Sequence, residues 1–268
     1  MLSTHGSLLG YRKYLPEGSP RIPYEFYDRL TLKTTAKKAD AIVVSSKFEY
    51  EDAIEFGVNP NKIRVIPMGV EIESLEEKAV CKSDESLRIL FVGRLARVRR
   101  VELLLQALRE LDIPFCATIV GGEAKTATMS RSGYMAQLKT LRSDLGLEGK
   151  VEFAGPQTAD RIKAFYRESD LFVYPSLYEN FGQPILEAAA FGLPIISTDV
   201  GVARDLVENN DTGFIVSGEP KQIANKIKDL ADPKTRFLMG KAIQKRVEIS
   251  FGWNKIMEDY KRLYEYFC

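Results

Sequence analysis

Glu179 and Glu187 stand eight positions apart in SLYENFGQPILEAAAFG, one in a Gly/Asn loop and the other in a largely apolar helix beginning just behind it. A loop carboxylate at a sheet edge can accept two neighbouring sugar hydroxyls. A carboxylate one turn into a helix can chelate both hydroxyls of a ribose. Glu187 takes the ligand side if Ile185, Leu186 and residues 188–190 face packing. Gly182 lets backbone approach a ligand closely. The helix from about Gln183 offers free N–H groups and the positive end of its dipole to a phosphate. Arg94 and Arg99 flank a second loop, after LRILFVG. Guanidinium forks pair with phosphate oxygens two bonds at a time, and two of them can neutralise charge building on a leaving diphosphate. Each group also has a plainer reading: Glu179 as a surface loop group, Glu187 as a solvated helix residue, RLARVRR as a solvated basic run.

Such groups need a scaffold that sets loops side by side. From residue 87 short apolar runs alternate with helical patterns. LRILFVG precedes VELLLQALREL, PFCATIVGG precedes SRSGYMAQLKTLRSDLGL, and KVEFAG precedes ADRIKAFYRES. DLFVYPS, LPIISTD and TGFIVS are followed by GQPILEAAAFG, VARDLVEN and PKQIANKIKDLA. This alternation predicts a parallel sheet covered on both faces. Right-handed crossovers put the strand-to-helix loops on one edge, where ligands of such sheets bind. Upstream, 24–39 reads as a helix, AIVVSS as a strand, KFEYEDAIEFGV as a helix ending at a glycine, and KIRVIPMG as a strand stopped by Pro67 and Gly69. The expected organisation is an α/β unit over 1–70, a polar connection over 71–86, a Rossmann-like unit over 87–250 and a last helix over 251–268. In that helix Trp253, Met257, Tyr260 and Tyr264 form an aromatic stripe expected to pack against a domain face.

Composition narrows the function classes. The 268 residues are 45% hydrophobic, enough for real cores. Basic and acidic residues balance at 38 against 37, so no bulk polycation exists and no nucleic-acid partner is expected. Cys81, Cys116 and Cys268 lie far apart and form no CxxC pair, which suits a reducing compartment without disulfides. A single histidine, His5, weakens any zinc reading, and no metal is expected. No run approaches about 20 apolar residues, the length a membrane helix needs. The opening MLSTHGSLLGYRKYL lacks the basic-then-apolar order of a signal peptide. The expected location is the cytoplasm, with Tyr, Phe and basic residues over 8–38 allowing peripheral contact with a membrane surface.

The stretch from Glu179 to Glu187 resembles the E-x7-E signature of the retaining glycosyltransferases of family GT4, the glycogen-synthase/mannosyltransferase-like group with the GT-B fold. GRL at 93–95, IPMGV at 66–70 and DTGFIV at 211–216 are similar to further motifs of that family. The resemblance implies two Rossmann-like lobes facing across a cleft, the first on the acceptor side and the second holding a nucleotide-diphosphate sugar, with the last helix, 251–268, packing back toward the first lobe. It also implies transfer of a hexose with retention of anomeric configuration, without a required metal. The acceptor it implies is a glycan, a lipid-linked sugar or a small metabolite. Carried over by match, Glu179 contacts sugar hydroxyls and Glu187 the nucleotide ribose. Arg94 and Arg99 hold the diphosphate, with Gly93 in the same loop. Backbone around Asn180, Phe181 and Gly182 cradles sugar and phosphate, Gly121 and Gly122 line the donor side, and Gly155 lets backbone read the base. His5, in THGS, matches a histidine near the reacting centre.

Two departures from the family pattern stand out. The usual Lys-Gly pair is Arg99-Arg100, so Arg100 either turns outward or obstructs the usual donor pose. The family also carries a longer segment ahead of its THG-like stretch. The first unit therefore reads as a truncated α/β lobe, with three open accounts: a partner chain completes it, a homodimer covers it, or the chain is a weak or inactive nucleotide-sugar-binding subunit.

Overall fold

A computed structural model describes residues 2–3, 28–72, 86–123 and 133–267. Within them two parallel sheets form. The first orders β1 (Leu2–Ser3), β2 (Ile42–Val44) and β3 (Ile63–Val65) with β2 central. The second contains β4 (Leu87–Val92), β5 (Phe115–Val120), β6 (Val151–Gly155), β7 (Leu171–Tyr174), β8 (Ile195–Thr198) and β9 (Gly213–Val216). Its order is β6-β5-β4-β7-β8-β9, all parallel. This is the doubly wound Rossmann-like arrangement, and the chain reverses its direction of travel between β4 and β7. The α/β parallel-sheet class expected from the alternation is the class observed.

Continuous apolar runs explain the second sheet. All four residues of β7 are buried, and all of β4 except Arg88, as a sheet sandwiched by helices requires. Helices α1 (Lys33–Lys38), α2 (Lys47–Phe56), α3 (Val101–Arg109), α4 (Tyr134–Asp144), α5 (Ala159–Glu168), α6 (Gln183–Ala190) and α7 (Ala203–Leu206) intervene. Then come α8 (Pro220–Asp229), α9 (Pro233–Phe251) and α10 (Trp253–Phe267). In α3, Val101, Leu104, Leu105 and Leu108 are buried at one-face spacing. Ser46 caps α2 by accepting the Glu49 N–H at 3.2 Å, while Glu49 reaches back to the Ser45 N–H at 2.7 Å, a close variant of the reciprocal capping box. Of the helix expected over 24–39, the structure shows a π-turn, Asp28–Leu32, running into α1; residues 24–27 lie outside the described residues. So does most of the polar connection over 71–86.

The chain's last helix completes its first sheet. Ile42 and Val44 of β2 face a cluster with Ala53, Phe56 and Ile63, whereas Ala41 and Val43 face Ile256 and Leu263 of α10. Alternating β2 side chains thus have covers on both faces. The expected aromatic stripe is corrected here. Trp253, Met257 and Tyr264 are 52%, 63% and 54% exposed, and only Tyr260 of the four packs against the cluster. The face of β2 offers Ala41 and Val43, which leaves room for an aliphatic ridge. The Trp253 ring lies over Gly69, where a β-carbon would come within 2.6 Å of it.

Candidate functional site

The loops after β4 and β7 meet where the sheet order reverses, and a dense set of bonds ties them together. Leu177 N–H donates to Val98 O at 2.7 Å and Ser176 Oγ to the same oxygen at 3.1 Å. Arg99, in the 3-10 turn Arg97–Arg99, is buried. Its Nη2 pairs with Glu179 Oε1 at 2.8 Å. Its Nη1 donates to Tyr178 O at 2.8 Å and to Ser176 Oγ at 3.2 Å. The Tyr174 hydroxyl also donates to Glu179 Oε1. Burial pushes the Tyr174 hydroxyl well above its ordinary range, with the Glu179 charge adding to it, so this group stays a donor. Glu179 is therefore neither solvated nor free; among the described residues its Oε2 alone has no partner.

Arg100 is held against the loop after β7. It adopts the left-handed conformation, φ 49° and ψ 43°, at the N-terminus of α3, which costs a non-glycine residue on the order of 1 kcal/mol. Its side chain folds back onto the end of β7, donating from Nε to Pro175 O at 2.9 Å and from Nη2 to Ser176 O at 3.3 Å, and lies against Gly218. Arg94 differs from both neighbours. It is exposed and has no hydrogen-bond or ion-pair partner among the described residues.

Helix α6 starts directly after this loop. The N–H groups of Phe181 and Gly182 find no backbone acceptor among the described residues, while Phe181 O accepts from Val202 N–H at 2.6 Å. Residues Ile185, Leu186 and Ala188 to Ala190 are buried and turn Glu187 to the half-exposed side. Glu187 Oε2 accepts from the Tyr166 hydroxyl of α5 at 3.0 Å. Burial raises the Glu187 carboxyl above its ordinary 4.5, opposed by hydrogen bonds from Tyr166 and Gln183 and by the charge of Lys163. A raised folded-state value means that ionising Glu187 costs the folded protein. Stability is then expected to fall as pH rises through the window just above 4.5, where the native state holds the proton longer. Glu187→Gln should flatten that fall, read from denaturant midpoints across pH 4 to about 7.

The remaining expected positions gather at the same edge. Gly93 N–H donates to Val120 O at 3.0 Å, Gly121 N–H to Gly155 O at 2.9 Å, and Gly122 O accepts from Leu95 N–H at 2.9 Å. The first sheet reaches this site too. Ser46 Oγ, at the start of α2, donates to Asn180 O at 3.1 Å, and the Phe48 and Tyr178 rings lie 5.5 Å apart. His5 lies outside the described residues. Spacing alone missed Tyr174 and Tyr166, which hold the two glutamates. For Tyr174 the available signal was a tyrosine inside a buried apolar run, whose hydroxyl needs a partner; Tyr166, in the largely polar helix α5, carried no such signal. Among the described residues no group of three or more His, Cys, Asp or Glu could hold a metal ion, and no helix is long and apolar enough to cross a membrane.

Residues 74–246, which carry this whole edge, match the family model described as glycosyl transferases group 1. The chain belongs to that family. A second model, glycosyltransferase family 4, matches residues 1–74. Among curated proteins, the D-inositol 3-phosphate glycosyltransferase of Acidothermus cellulolyticus is 29% identical over 242 residues, covering 84% of this chain and 53% of that protein. The protein of the same name from Corynebacterium jeikeium is 28% identical, covering 94% and 62%. This group 1 chain thus spans between about half and two thirds of the length of these relatives. The fold is shared with Anabaena HepE in complex with UDP and glucose, at TM-score 0.79, 22% identity and coverage of 99% and 70%. It is also shared with sucrose-phosphate synthase from Thermosynechococcus elongatus, at TM-score 0.81, 25% identity and coverage of 99% and 67%.

Proposed function

We propose that this chain binds a nucleoside-diphosphate sugar at the β4/β7 switch point and transfers its hexose, with retention of anomeric configuration, to a glycan, lipid-linked or small-molecule acceptor. The observation that carries the reading is one gathering of groups. Arg94 and the amides at the start of α6, all without a partner among the described residues, share an edge with Glu179 and Glu187. A diphosphate suits the amides and Arg94; the two carboxylates suit sugar and ribose hydroxyls. The curated relatives' name supports glycosyl transfer, and the UDP and glucose bound by HepE support a UDP-sugar as the first donor to test.

The chemistry is mainly positioning and charge stabilisation. The donor's C–O bond to the diphosphate breaks, and charge building on the leaving group meets Arg94 and the helix start. The acceptor hydroxyl adds on the face the diphosphate leaves, and its proton passes to the departing phosphate. Neither glutamate acts as a general base. Glu179 orients the sugar and Glu187 the ribose, while backbone at Gly121, Gly122 and Gly155 borders the donor.

Calorimetry against UDP-, GDP- and ADP-sugars tests the placement. One nucleotide should be preferred, and Glu187→Ala and Arg94→Ala should each weaken it roughly ten- to hundredfold. Undiminished affinity in both variants refutes it. Binding without transfer in a product assay would instead support a nucleotide-sugar-binding subunit, completed by a partner chain or by a second copy.

A further inference from the structure

We propose that Arg99 and Tyr174 are positioning residues that clamp one oxygen of Glu179 and reserve the other for a hydroxyl of the transferred sugar, leaving the diphosphate to Arg94 and the start of α6. This deepens the donor reading above and rests on it. It changes the role expected of Arg99, because a guanidinium that is committed elsewhere is not a phosphate ligand.

The commitment is visible at both terminal nitrogens of the guanidinium. Nη2 goes to Glu179 Oε1 at 2.8 Å, and Nη1 goes to Tyr178 O at 2.8 Å and Ser176 Oγ at 3.2 Å. Nε is buried without a partner among the described residues, and the residue is only 9% exposed. A phosphate would have to draw the cation off three acceptors. The same oxygen, Oε1, also receives the Tyr174 hydroxyl at 2.5 Å. With two donors on Oε1 and none on Oε2 among the described residues, the carboxylate is fixed in rotation and has one lone-pair edge to offer. Charge follows the same division. Arg99 and Glu179 neutralise each other inside the loop, whereas Arg94 is exposed with no hydrogen-bond or ion-pair partner among the described residues. Arg100 fastens the loop from behind through Pro175 O and Ser176 O. In this chain the paired arginines hold the β7–α6 loop in place.

The test separates bare nucleotide from nucleotide sugar. UDP and UDP-glucose are titrated into the full chain and into Arg94→Gln, Arg99→Gln, Arg99→Lys and Tyr174→Phe, with steady-state turnover on each. Arg94→Gln should weaken both ligands roughly ten- to hundredfold. Arg99→Gln and Tyr174→Phe should leave UDP within about threefold of wild type, weaken UDP-glucose, and lower kcat more than they raise KM. Arg99→Lys should recover part of that loss. The proposal is overturned if Arg99→Gln loses UDP as severely as Arg94→Gln does, or if Tyr174→Phe leaves both UDP-glucose affinity and kcat unchanged. Wild-type protein that binds neither ligand would defeat the donor reading alone. Amide hydrogen exchange over 176–182 still decides the clamp in that case: faster exchange in Arg99→Gln and Tyr174→Phe supports it, and unchanged exchange overturns it.

Discussion

Replacing Glu179 with leucine is expected to destabilise the protein by about 2–4 kcal/mol and to reduce turnover roughly a hundredfold or more. The stability loss comes from what remains. The Arg99 and Glu179 side chains are 11% and 13% exposed, so deleting the carboxylate leaves a cation in a site with little water. Two neutral acceptors, Tyr178 O and Ser176 Oγ, soften the loss without matching a charge. The companion variant Arg99→Met with Glu179→Leu has no charge to bury, and apolar pairs of similar size often replace buried ion pairs at little cost. The double variant should therefore be more stable than Glu179→Leu alone while remaining inactive. Urea midpoints at constant slope measure this, and the cycle closes with Arg99→Met. Strict additivity of the two single changes would show that the pair is not coupled and would remove the energetic basis of the clamp.

The scaffold of the site was more legible than its contacts. Six short runs with helices between them specify a parallel sheet, because the central ones, LRILFV, LFVY and IIST, are too uniformly buried to have a wet face. The loops carrying Arg94 and Glu179 then fall on one edge. Helix α6 begins at Gln183, where the Gly/Pro punctuation puts it, and Glu187 is the one half-exposed position between Leu186 and Ala188. The direction of a guanidinium is a different matter. Arg94, Arg99 and Arg100 share one short basic run, yet one points to solvent, one to Glu179 and one to the end of β7. Acceptors far along the chain decide that, and local spacing does not encode them. The faces of α10 illustrate the same limit. Ile256 with Leu263 and Trp253 with Met257 both recur at helical intervals; the shape of β2 chooses between them. A strand as short as Leu2–Ser3 carries no periodicity, and only its parallel pairing with Ile42 and Val43 reveals it.

The loop from Pro175 to Gly182 is held from three sides, and this links the first sheet to the proposed chemistry. The β4–α3 turn grips it through Arg99 and Arg100, Val202 N–H donates to Phe181 O, and the start of α2 reaches Asn180 O through Ser46. Lys47 N–H also donates to Asp205 Oδ2 at 3.2 Å, and Arg204 pairs with Glu51. Burial raises the Asp205 carboxyl, and the Lys47 N–H and charge oppose it. The first sheet and α2 therefore meet the candidate site directly at Asn180 O, and through Arg204 and Asp205 beside it.

Gly121→Ala should be the most damaging single methyl group that can be added at this edge, costing about 3 kcal/mol or more. A β-carbon there would sit 1.9 Å from Gly93 O and 2.9 Å from Gly93 C, and its φ of 140° is itself unfavourable for alanine. The backbone has no direction in which to yield. Gly121 N–H is bonded to Gly155 O, Gly93 N–H to Val120 O, and Leu95 N–H to Gly122 O. Any retreat of the Gly93 carbonyl drags Arg94 with it, so surviving folded protein should also bind donor poorly. Gly155→Ala is the control. Its φ of 69° lies in the left-handed region that favours glycine, and nothing lies within 4 Å of the added carbon. Only the left-handed conformation is then penalised, by about 1 kcal/mol. Thermal and urea unfolding of both variants separates close approach from backbone preference: equal losses would mean that β4 and β5 can part at their ends without cost.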